Sequence, residues 1–145
     1  MHGESITNPL WFREVPFERP TLIIAEGVFE YLTKEQVQRL FCQLTDYFYR
    51  GELIFDIINP FSMKMGRKKL EESIGASHKW AVSSLKEVDT MNPNLKRTFS
   101  MSLFQSPYFK RLEFRKRLIF KTMSLLPPFK NMIRLLKYKF EDETV

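Results

Sequence analysis

The sequence is short of the residues that build disulfides, zinc sites and glycine-rich phosphate loops. Its 145 residues contain one cysteine, two histidines and five glycines. The single cysteine, Cys42, excludes an internal disulfide, and Cys42 with His2 and His78 is too sparse a set for a zinc site. The glycines form no G-x-G pattern, so the chain lacks the glycine-rich turn of dinucleotide-binding folds.

Long hydrophobic runs and the features of a signal peptide are also missing. No apolar run approaches the roughly 18 residues that a membrane-spanning helix needs. The first eight residues lack the basic and apolar regions of a signal peptide. These absences predict a cytoplasmic protein without a membrane partner. The composition, 43% apolar and 14% aromatic, is sufficient for the core of one domain.

Charge is distributed unevenly along the chain. Residues 1–62 carry 5 basic and 9 acidic side chains, whereas residues 63–145 carry 18 and 8. Such an asymmetry can indicate an anionic partner. The densest basic cluster, residues 110–121, spreads its charges around a predicted helix, and no RNA-binding signature accompanies the nearby aromatics. A solvated helix surface is therefore favoured over a nucleic-acid site.

The chain alternates between strand and helix patterns, which predicts an α/β sheet. Thr33 and Gln36 fit a capping box at the start of the first helix. Apolar residues then recur at spacings of three and four, as expected of a helix that packs on a sheet. These residues are Val37, Leu40, Phe41, Leu44 and Phe48. Gly51 is expected to end this helix in the left-handed conformation.

The later elements are predicted from similar signals. In chain order they are a strand at 52–58 stopped by Asn59-Pro60, a helix at about 62–76, a short helix and turn at 84–93, a half-exposed strand near an edge at 98–104, a helix from 107 to about 126, and a strand at 132–140. The last strand brings Leu136, Tyr138 and Phe140 to one face, which Arg134 begins. The last two strands are expected to pair antiparallel at one end of the sheet.

The first strand and the residues after it are the most informative part of the sequence. Leu22 to Ala25 show no polar alternation, so both faces of this strand should be covered. Glu26 and Gly27 follow at its carboxyl end, where open α/β sheets bind ligands. An unpaired buried carboxylate costs several kcal/mol, so Glu26 should face water or a polar ligand. Asp56 in the second strand is either a site residue at the same edge or a carboxylate paired with a nearby group.

The order of these pieces is similar to that of a known family. The matching pieces are Trp11, Val15-Pro16, the block Ala-Glu-Gly-Val-Phe-Glu-Tyr-Leu at 25–32, Gly51 to Asp56, His78-Lys-Trp80, Asn92-Pro93 and Arg134 to Phe140. Together they resemble the leucine carboxyl methyltransferase family, in the branch of O-methyltransferases related to tetracenomycin polyketide biosynthesis. Members of this branch are class I enzymes that use S-adenosylmethionine. The resemblance covers nearly the whole chain but only the C-terminal half of the family's length.

The resemblance implies a partial fold. Residues 1–145 would form one partial methyltransferase domain, with a lead-in segment at about 1–19 and, at 20–145, the C-terminal half of a Rossmann-like class I sheet with flanking helices. The first strand would be the fourth of a seven-stranded sheet, and its neighbour on one side would be absent. The absent half normally supplies most contacts to the methyl donor. An unpaired strand edge of this kind is a route to association with another chain.

The resemblance also implies a function and its residues. The chain would be the C-terminal portion of an enzyme that transfers a methyl group from S-adenosylmethionine to a hydroxyl or carboxyl of a small molecule. Glu26, Gly27 and Tyr31 would lie at the donor, although Tyr31 also fits a core position. His78 is a candidate general base for a hydroxyl acceptor. The expected partners are the acceptor and either an N-terminal half or a second copy at the sheet edge. The alternative is a noncatalytic truncated homologue that self-associates or binds a partner.

Overall fold

The computed structural model describes residues 5–8 and 10–141, so His2 and Gly3 lie outside the described residues, as does part of the expected lead-in segment. Four strands form one sheet in the order β1-β2-β4-β3. They are β1 (Thr21–Ala25), β2 (Arg50–Ile58), β3 (Lys96–Ser102) and β4 (Ile133–Glu141). β1 is parallel to β2, and β4 runs antiparallel to both β2 and β3. The predicted α/β class and the antiparallel closing strands are therefore confirmed.

Within the described residues, five α-helices connect the strands. They are α1 (Lys34–Tyr47), α2 (Pro60–Ile74), α3 (Leu85–Asp89), α4 (Phe114–Met123) and α5 (Pro127–Lys130). The predicted capping box at the start of α1 is present, with the Gln36 amide donating to Thr33 Oγ1 and the Thr33 amide donating to Gln36 Oε1. The sequence predicted one continuous helix from 107 to about 126, and this prediction is wrong. A 3₁₀ segment covers Pro107–Arg111, and the extended backbone of Glu113, with ψ 147°, separates it from α4.

The core lies on one side of the sheet, under α1. The predicted apolar face of this helix is buried, and Phe41 contacts both Phe29 and Phe55, with ring centroids 5.6 and 5.4 Å apart. Phe55 stacks in turn on Tyr138 of β4. As predicted, alternate residues of β4 face this core, since Leu136, Tyr138 and Phe140 are all buried.

Tyr138 and Asp89 join the sheet to α3. The Tyr138 hydroxyl donates to Asp89 Oδ1 at 2.6 Å, and Arg97 donates to the other carboxylate oxygen at 3.0 Å. Burial, followed by the hydrogen bond to Asp89 and its negative charge, raises the pKa of Tyr138 well above its ordinary value. The hydroxyl therefore stays protonated as a donor at physiological pH.

The opposite side of the sheet corrects one expectation. Both faces of β1 were expected to be covered, but Leu22 and Ile24 are 57% and 66% exposed. They belong to an open face that also contains apolar residues of the other three strands. The apolar residues of the open face are Leu22, Ile24, Ile54, Phe99, Met101 and Leu135, and the strand register places the charged residues Glu52, Asp56, Lys96, Lys137 and Lys139 on the same face. Within the described residues, β1 is therefore covered on one face only.

β3 lies at the predicted edge of the sheet, but its apolar side belongs to the open face. Phe99 is exposed, whereas Ser102 on the other side is buried and donates its hydroxyl to the carbonyl of Lys130. The strand therefore turns its polar side toward the covered layer, where hydrogen-bond partners satisfy it.

Gly51 corrects a second expectation. It does not end α1, which stops at Tyr47, and it does not take the left-handed conformation, which among the described glycines occurs only at Gly27 and Gly75. Gly51 lies inside β2, where a Cβ would sit against the Thr21 carbonyl oxygen and 2.7 Å from Phe140 Cζ. Glycine is needed here because neighbouring strands leave no room for a side chain.

Candidate functional site

The carboxyl end of β1 forms a tight turn that is fixed by the neighbouring strand. After Ala25 and Glu26, Gly27 takes φ +61°, a conformation that glycine adopts without strain. The Gly27 amide donates to Asp56 Oδ1 of β2 at 2.8 Å. Of the two interpretations of Asp56, pairing with a backbone group is therefore the one observed. The same contact places Asp56 beside the turn that presents the exposed Glu26.

A cavity of about 250 Å³ opens next to this turn, on the open face of the sheet. Among the described residues that line it, the polar ones are Glu26, Asp56 and Ser106. The others are mainly apolar, and they include Ile24, Ile54, Met101, Leu103 and Leu135. An apolar surface with two carboxylates at one end suits an organic ligand that carries positive charge, because opposite charges attract most strongly where water is partly excluded.

Another cavity, of about 380 Å³, lies at the opposite end of the same strands. Thr21, Arg50 and Glu141 are among the residues that line it. β1 and β2 begin there, whereas parallel strands of open α/β sheets bind ligands where they end. The smaller cavity at the carboxyl ends is therefore the better candidate site.

Glu30, which the sequence analysis did not single out, lies close to this site. It is half-buried in the 3₁₀ turn Phe29–Tyr31, and burial is the main cause that raises the pKa of its carboxyl. The negative charge of Asp56 also raises this pKa, while the carboxyl's own backbone hydrogen bond and His78 lower it. The signal for Glu30 was available in the sequence, since it is a second acidic residue four positions after Glu26.

The backbone of Glu30 holds the segment that contains His78. Its carbonyl accepts hydrogen bonds from the amides of Lys79 at 2.7 Å and Trp80 at 3.3 Å. The His78 ring then lies 5.3 Å from the ring of Tyr31, with the planes tilted by 50°. The structure therefore brings together Tyr31 and His78, two of the residues singled out in the sequence.

Two buried polar atoms in this group have no hydrogen-bond partner among the described residues. They are Glu30 Oε2 and His78 Nδ1. Buried polar atoms are satisfied in nearly all folded proteins, and an unsatisfied one costs about 1–3 kcal/mol. Neither Glu30 nor His78 is among the described residues that line the cavity at Glu26.

Neither a metal site nor a membrane-spanning helix is found in the described part of the chain. Within residues 5–8 and 10–141, no three His, Cys, Asp or Glu residues are grouped so as to hold a metal ion. Over the same residues, no helix is both long and apolar enough to cross a membrane. The site is therefore described by its carboxylates, the glycine turn and the Tyr31–His78 pair.

Comparison with known proteins gives the context for this geometry. No family model matches the sequence. The chain is 25% identical over 141 residues to the tetracenomycin polyketide synthesis O-methyltransferase of Streptomyces glaucescens, a match that covers 97% of this chain and 52% of the relative. It is 32% identical over 100 residues to an S-adenosyl-L-methionine-dependent methyltransferase of Gibberella zeae, covering 63% and 34%. The chain thus spans about half the length, or less, of these curated relatives.

Solved structures show the same fold at low sequence identity. A DUF574 family protein from Streptomyces avermitilis matches with a TM-score of 0.62 at 8% identity, over 96% of this chain and 53% of the other. An S-adenosylmethionine-dependent methyltransferase from Mesorhizobium loti matches with a TM-score of 0.59 at 14% identity, over 86% and 63%. At this identity the likeness concerns the fold.

The fold is that of the class I methyltransferases, represented here by four strands and their helices. The resemblance to the tetracenomycin-type O-methyltransferases, expected from the block at residues 25–32, is confirmed by the Streptomyces glaucescens relative. Both curated relatives are methyltransferases, and one is named as dependent on S-adenosylmethionine. The chain is therefore a partial-length relative of these enzymes.

Proposed function

We propose that this chain is the C-terminal portion of an S-adenosylmethionine-dependent O-methyltransferase that acts on a hydroxyl or carboxyl of a small molecule. The observation that carries the proposal is the turn at Glu26 and Gly27, which Asp56 fixes at the carboxyl end of β1 and which opens into a cavity. The similarity to a polyketide O-methyltransferase supports the acceptor class.

The residues at the turn fit the chemistry of the donor. Glu26 is an exposed carboxylate, so it is available to the ammonium and sulfonium charges of S-adenosylmethionine. Nothing lies closer than 3.8 Å to the position of a Cβ on Gly27, which leaves the backbone open to a ligand. The Tyr31 ring packs against the ring of His78, outside the described lining of the cavity. These three residues would hold the donor, and Asp56 would position the turn that carries two of them.

The donor supplies an electrophilic methyl group, and the protein's main task is alignment. Correct positioning of two reactants can contribute about 7–11 kcal/mol to catalysis, and no covalent protein nucleophile is required. A hydroxyl acceptor needs a group that takes up its proton. His78 is the candidate for this role by its side-chain chemistry; it lies beside Tyr31 and outside the described lining of the cavity.

A complete donor site also needs the other half of the fold. Within the described residues, β1 pairs only with β2, so its other edge is free. The open face lies on the same strands and exposes Leu22 and Ile24. Since the chain spans about half of its curated relatives, we infer that a preceding half of the same fold covers this face and pairs with β1.

A donor titration tests the proposal. We would fuse the half of the Streptomyces glaucescens relative that this chain does not match to residues 1–145, and measure S-adenosylmethionine binding by calorimetry. The fusion should bind the donor, and Glu26→Gln should weaken binding about tenfold, equivalent to about 1.4 kcal/mol. Glu72→Gln removes the same charge from an exposed position on α2 and should leave binding unchanged.

Two results of this titration would contradict all or part of the proposal. A fusion that is folded and monodisperse but does not bind S-adenosylmethionine contradicts it. Binding that is insensitive to Glu26→Gln contradicts the role of Glu26 while leaving the donor assignment intact.

One observation favours a second candidate function. The exposed apolar open face and the free edge of β1 are the features of a chain that associates with another copy. The second candidate is therefore a noncatalytic homologue that self-associates through β1. A stable dimer of the isolated chain that buries β1 and does not bind the donor would favour it over the enzyme.

A further inference from the structure

A second cavity, of about 400 Å³, lies at the carboxyl end of β2, apart from the Glu26 turn. Its walls come from five places in the chain, namely the end of β2, the start of α2, the segment that leads into α3, the start of α5 and the start of β4. The volume is within the range of small-molecule sites, which are about 300–1,000 Å³. None of its described lining residues lines the cavity at Glu26.

Hydrogen bonds between these segments fix the walls. Asn59 accepts from the Ser62 amide through Oδ1 and donates from Nδ2 to the Pro128 carbonyl, both at 2.8 Å. The Val82 amide donates to the Ile58 carbonyl at 2.8 Å. The cavity is therefore bounded by segments that are tied to the sheet and to one another.

Arg134 is the only charged residue among the described residues that line this cavity. One of its terminal nitrogens donates to Ser100 Oγ at 2.9 Å. Its Nε is buried and has no hydrogen-bond partner among the described residues. A guanidinium has five N–H donors, and a carboxylate is the acceptor whose planar geometry best matches it.

The other residues that line this cavity indicate what kind of ligand body it would accept. Apolar side chains and prolines predominate, including Phe61, Val82, Leu85 and Pro127, while Ser83 and Asn131 add polar groups. The Phe61 ring makes an edge contact with the Phe129 ring, and the two ring centroids are 4.8 Å apart. Such walls favour a flat apolar body over a compact, fully hydrated anion such as phosphate.

We propose that this cavity binds the carboxylate of a small aromatic acid through Arg134. The carboxylate accepts hydrogen bonds from the Arg134 guanidinium, and the ring lies against the apolar walls. The site is formed by residues of this chain alone, so the proposal does not depend on binding of S-adenosylmethionine.

Benzoate is a suitable probe, with benzamide as its uncharged analogue. We would titrate each into the purified 145-residue chain and follow backbone amide signals by NMR. Benzoate should shift the amides of Val82, Ser83 and Ser84 saturably, and benzamide should bind at least tenfold more weakly. Arg134→Gln should weaken benzoate binding at least tenfold, whereas Arg115→Gln, the same charge change at an exposed residue of α4, should not alter it.

A second variant keeps the test decisive if Arg134→Gln fails to fold. Ser83 is exposed at the cavity wall, so Ser83→Trp should block the cavity and abolish benzoate binding while Arg134 is retained. Equal binding of benzoate and benzamide, equal binding of inorganic phosphate, or no saturable shift at residues 82–84 in millimolar benzoate would each overturn the proposal.

Discussion

At the scale of single residues, Gly51 shows how closely β1, β2 and β4 approach. A side chain there meets the Thr21 carbonyl and the ring of Phe140, so it cannot be accommodated without moving a strand. Gly51→Ala should therefore lower the free energy of unfolding by about 1–3 kcal/mol, the range for overpacked cores. Urea denaturation of the purified chain measures this.

Gly66 provides the matched control. It lies inside α2, and a Cβ there would be 3.4 Å from His78 Cε1. Alanine is favoured over glycine in a helix interior by about 1 kcal/mol, so Gly66→Ala should be neutral or stabilising. Equal destabilisation by both substitutions would refute the steric explanation at Gly51.

Glu30 should make stability depend on pH in a defined direction. Because burial raises the pKa of its carboxyl in the folded state, folding favours the protonated form. The stability that Glu30 contributes is fully present at pH values below the pKa of its carboxyl in the unfolded chain. It is lost as the pH rises through the higher pKa of the same carboxyl in the folded chain. Glu30→Gln removes this titration, so the variant should gain stability relative to the natural chain between pH 4 and pH 7.

The measurement is the free energy of unfolding of both proteins across this pH range. The difference between them isolates Glu30, because other groups titrate in both chains. A difference that stays constant or shrinks as pH rises would show that burial does not disfavour the ionised carboxylate.

At the scale of elements, the open face of β1 distinguishes an isolated chain from a completed fold. Ile24 is 66% exposed in the chain, so Ile24→Ala should change the stability of residues 1–145 by about 0.5 kcal/mol or less. If the other half covers this face, the same substitution should destabilise the fusion by about 2 kcal/mol or more, as for a buried isoleucine. Thermal or urea unfolding of both proteins gives the two values.

Leu125 is the control for this comparison, since it is 78% exposed and lies outside the sheet. Leu125→Ala should have a small effect in both proteins. If Ile24→Ala is equally mild in the fusion, the preceding half does not cover β1. If it instead converts a dimer of the isolated chain into a monomer, the self-associating function is favoured.

Elements whose signals are local were predictable from the sequence. The capping box at Thr33, the buried face of α1 and the alternation of β4 depend on neighbouring residues, and all three are confirmed. The role of Gly51 and the exposed face of β1 depend on strands distant in sequence. A glycine just after a predicted helix has the same sequence pattern whether it ends the helix or fits between neighbouring strands. An apolar strand likewise has the same sequence pattern whether one or both of its faces are covered.

The features of the candidate site also separate into those with local sequence signals and those that depend on long-range contacts. The position of Glu26 and Gly27 in a turn at the end of β1 was predictable because strand ends and glycines leave local signals, whereas their role at the donor stays a prediction. The hydrogen bond from Gly27 to Asp56 joins residues 29 positions apart, and the clustering of Glu30 with His78 depends on the backbone contacts of Lys79 and Trp80. No sequence pattern specifies these long-range contacts.

At the scale of the whole molecule, the sheet has one covered side and one open side. Its core lies between the sheet and α1, while the open face combines exposed apolar residues with the ion pair of Glu52 and Lys137. The strand order agrees with the fold of the class I methyltransferases, and the chain matches 52% of the length of the Streptomyces glaucescens relative. The Glu26–Gly27 turn and the Arg134 cavity both lie within the described residues.

The most direct test of the central claim is to observe the donor at the Glu26 turn. In the fusion, with ¹⁵N restricted to residues 1–145, S-adenosylmethionine should shift the amide signals of Glu26, Gly27 and Tyr31, and Glu26→Gln should weaken this response. A folded fusion in which saturating donor leaves these three amides unmoved would contradict the account.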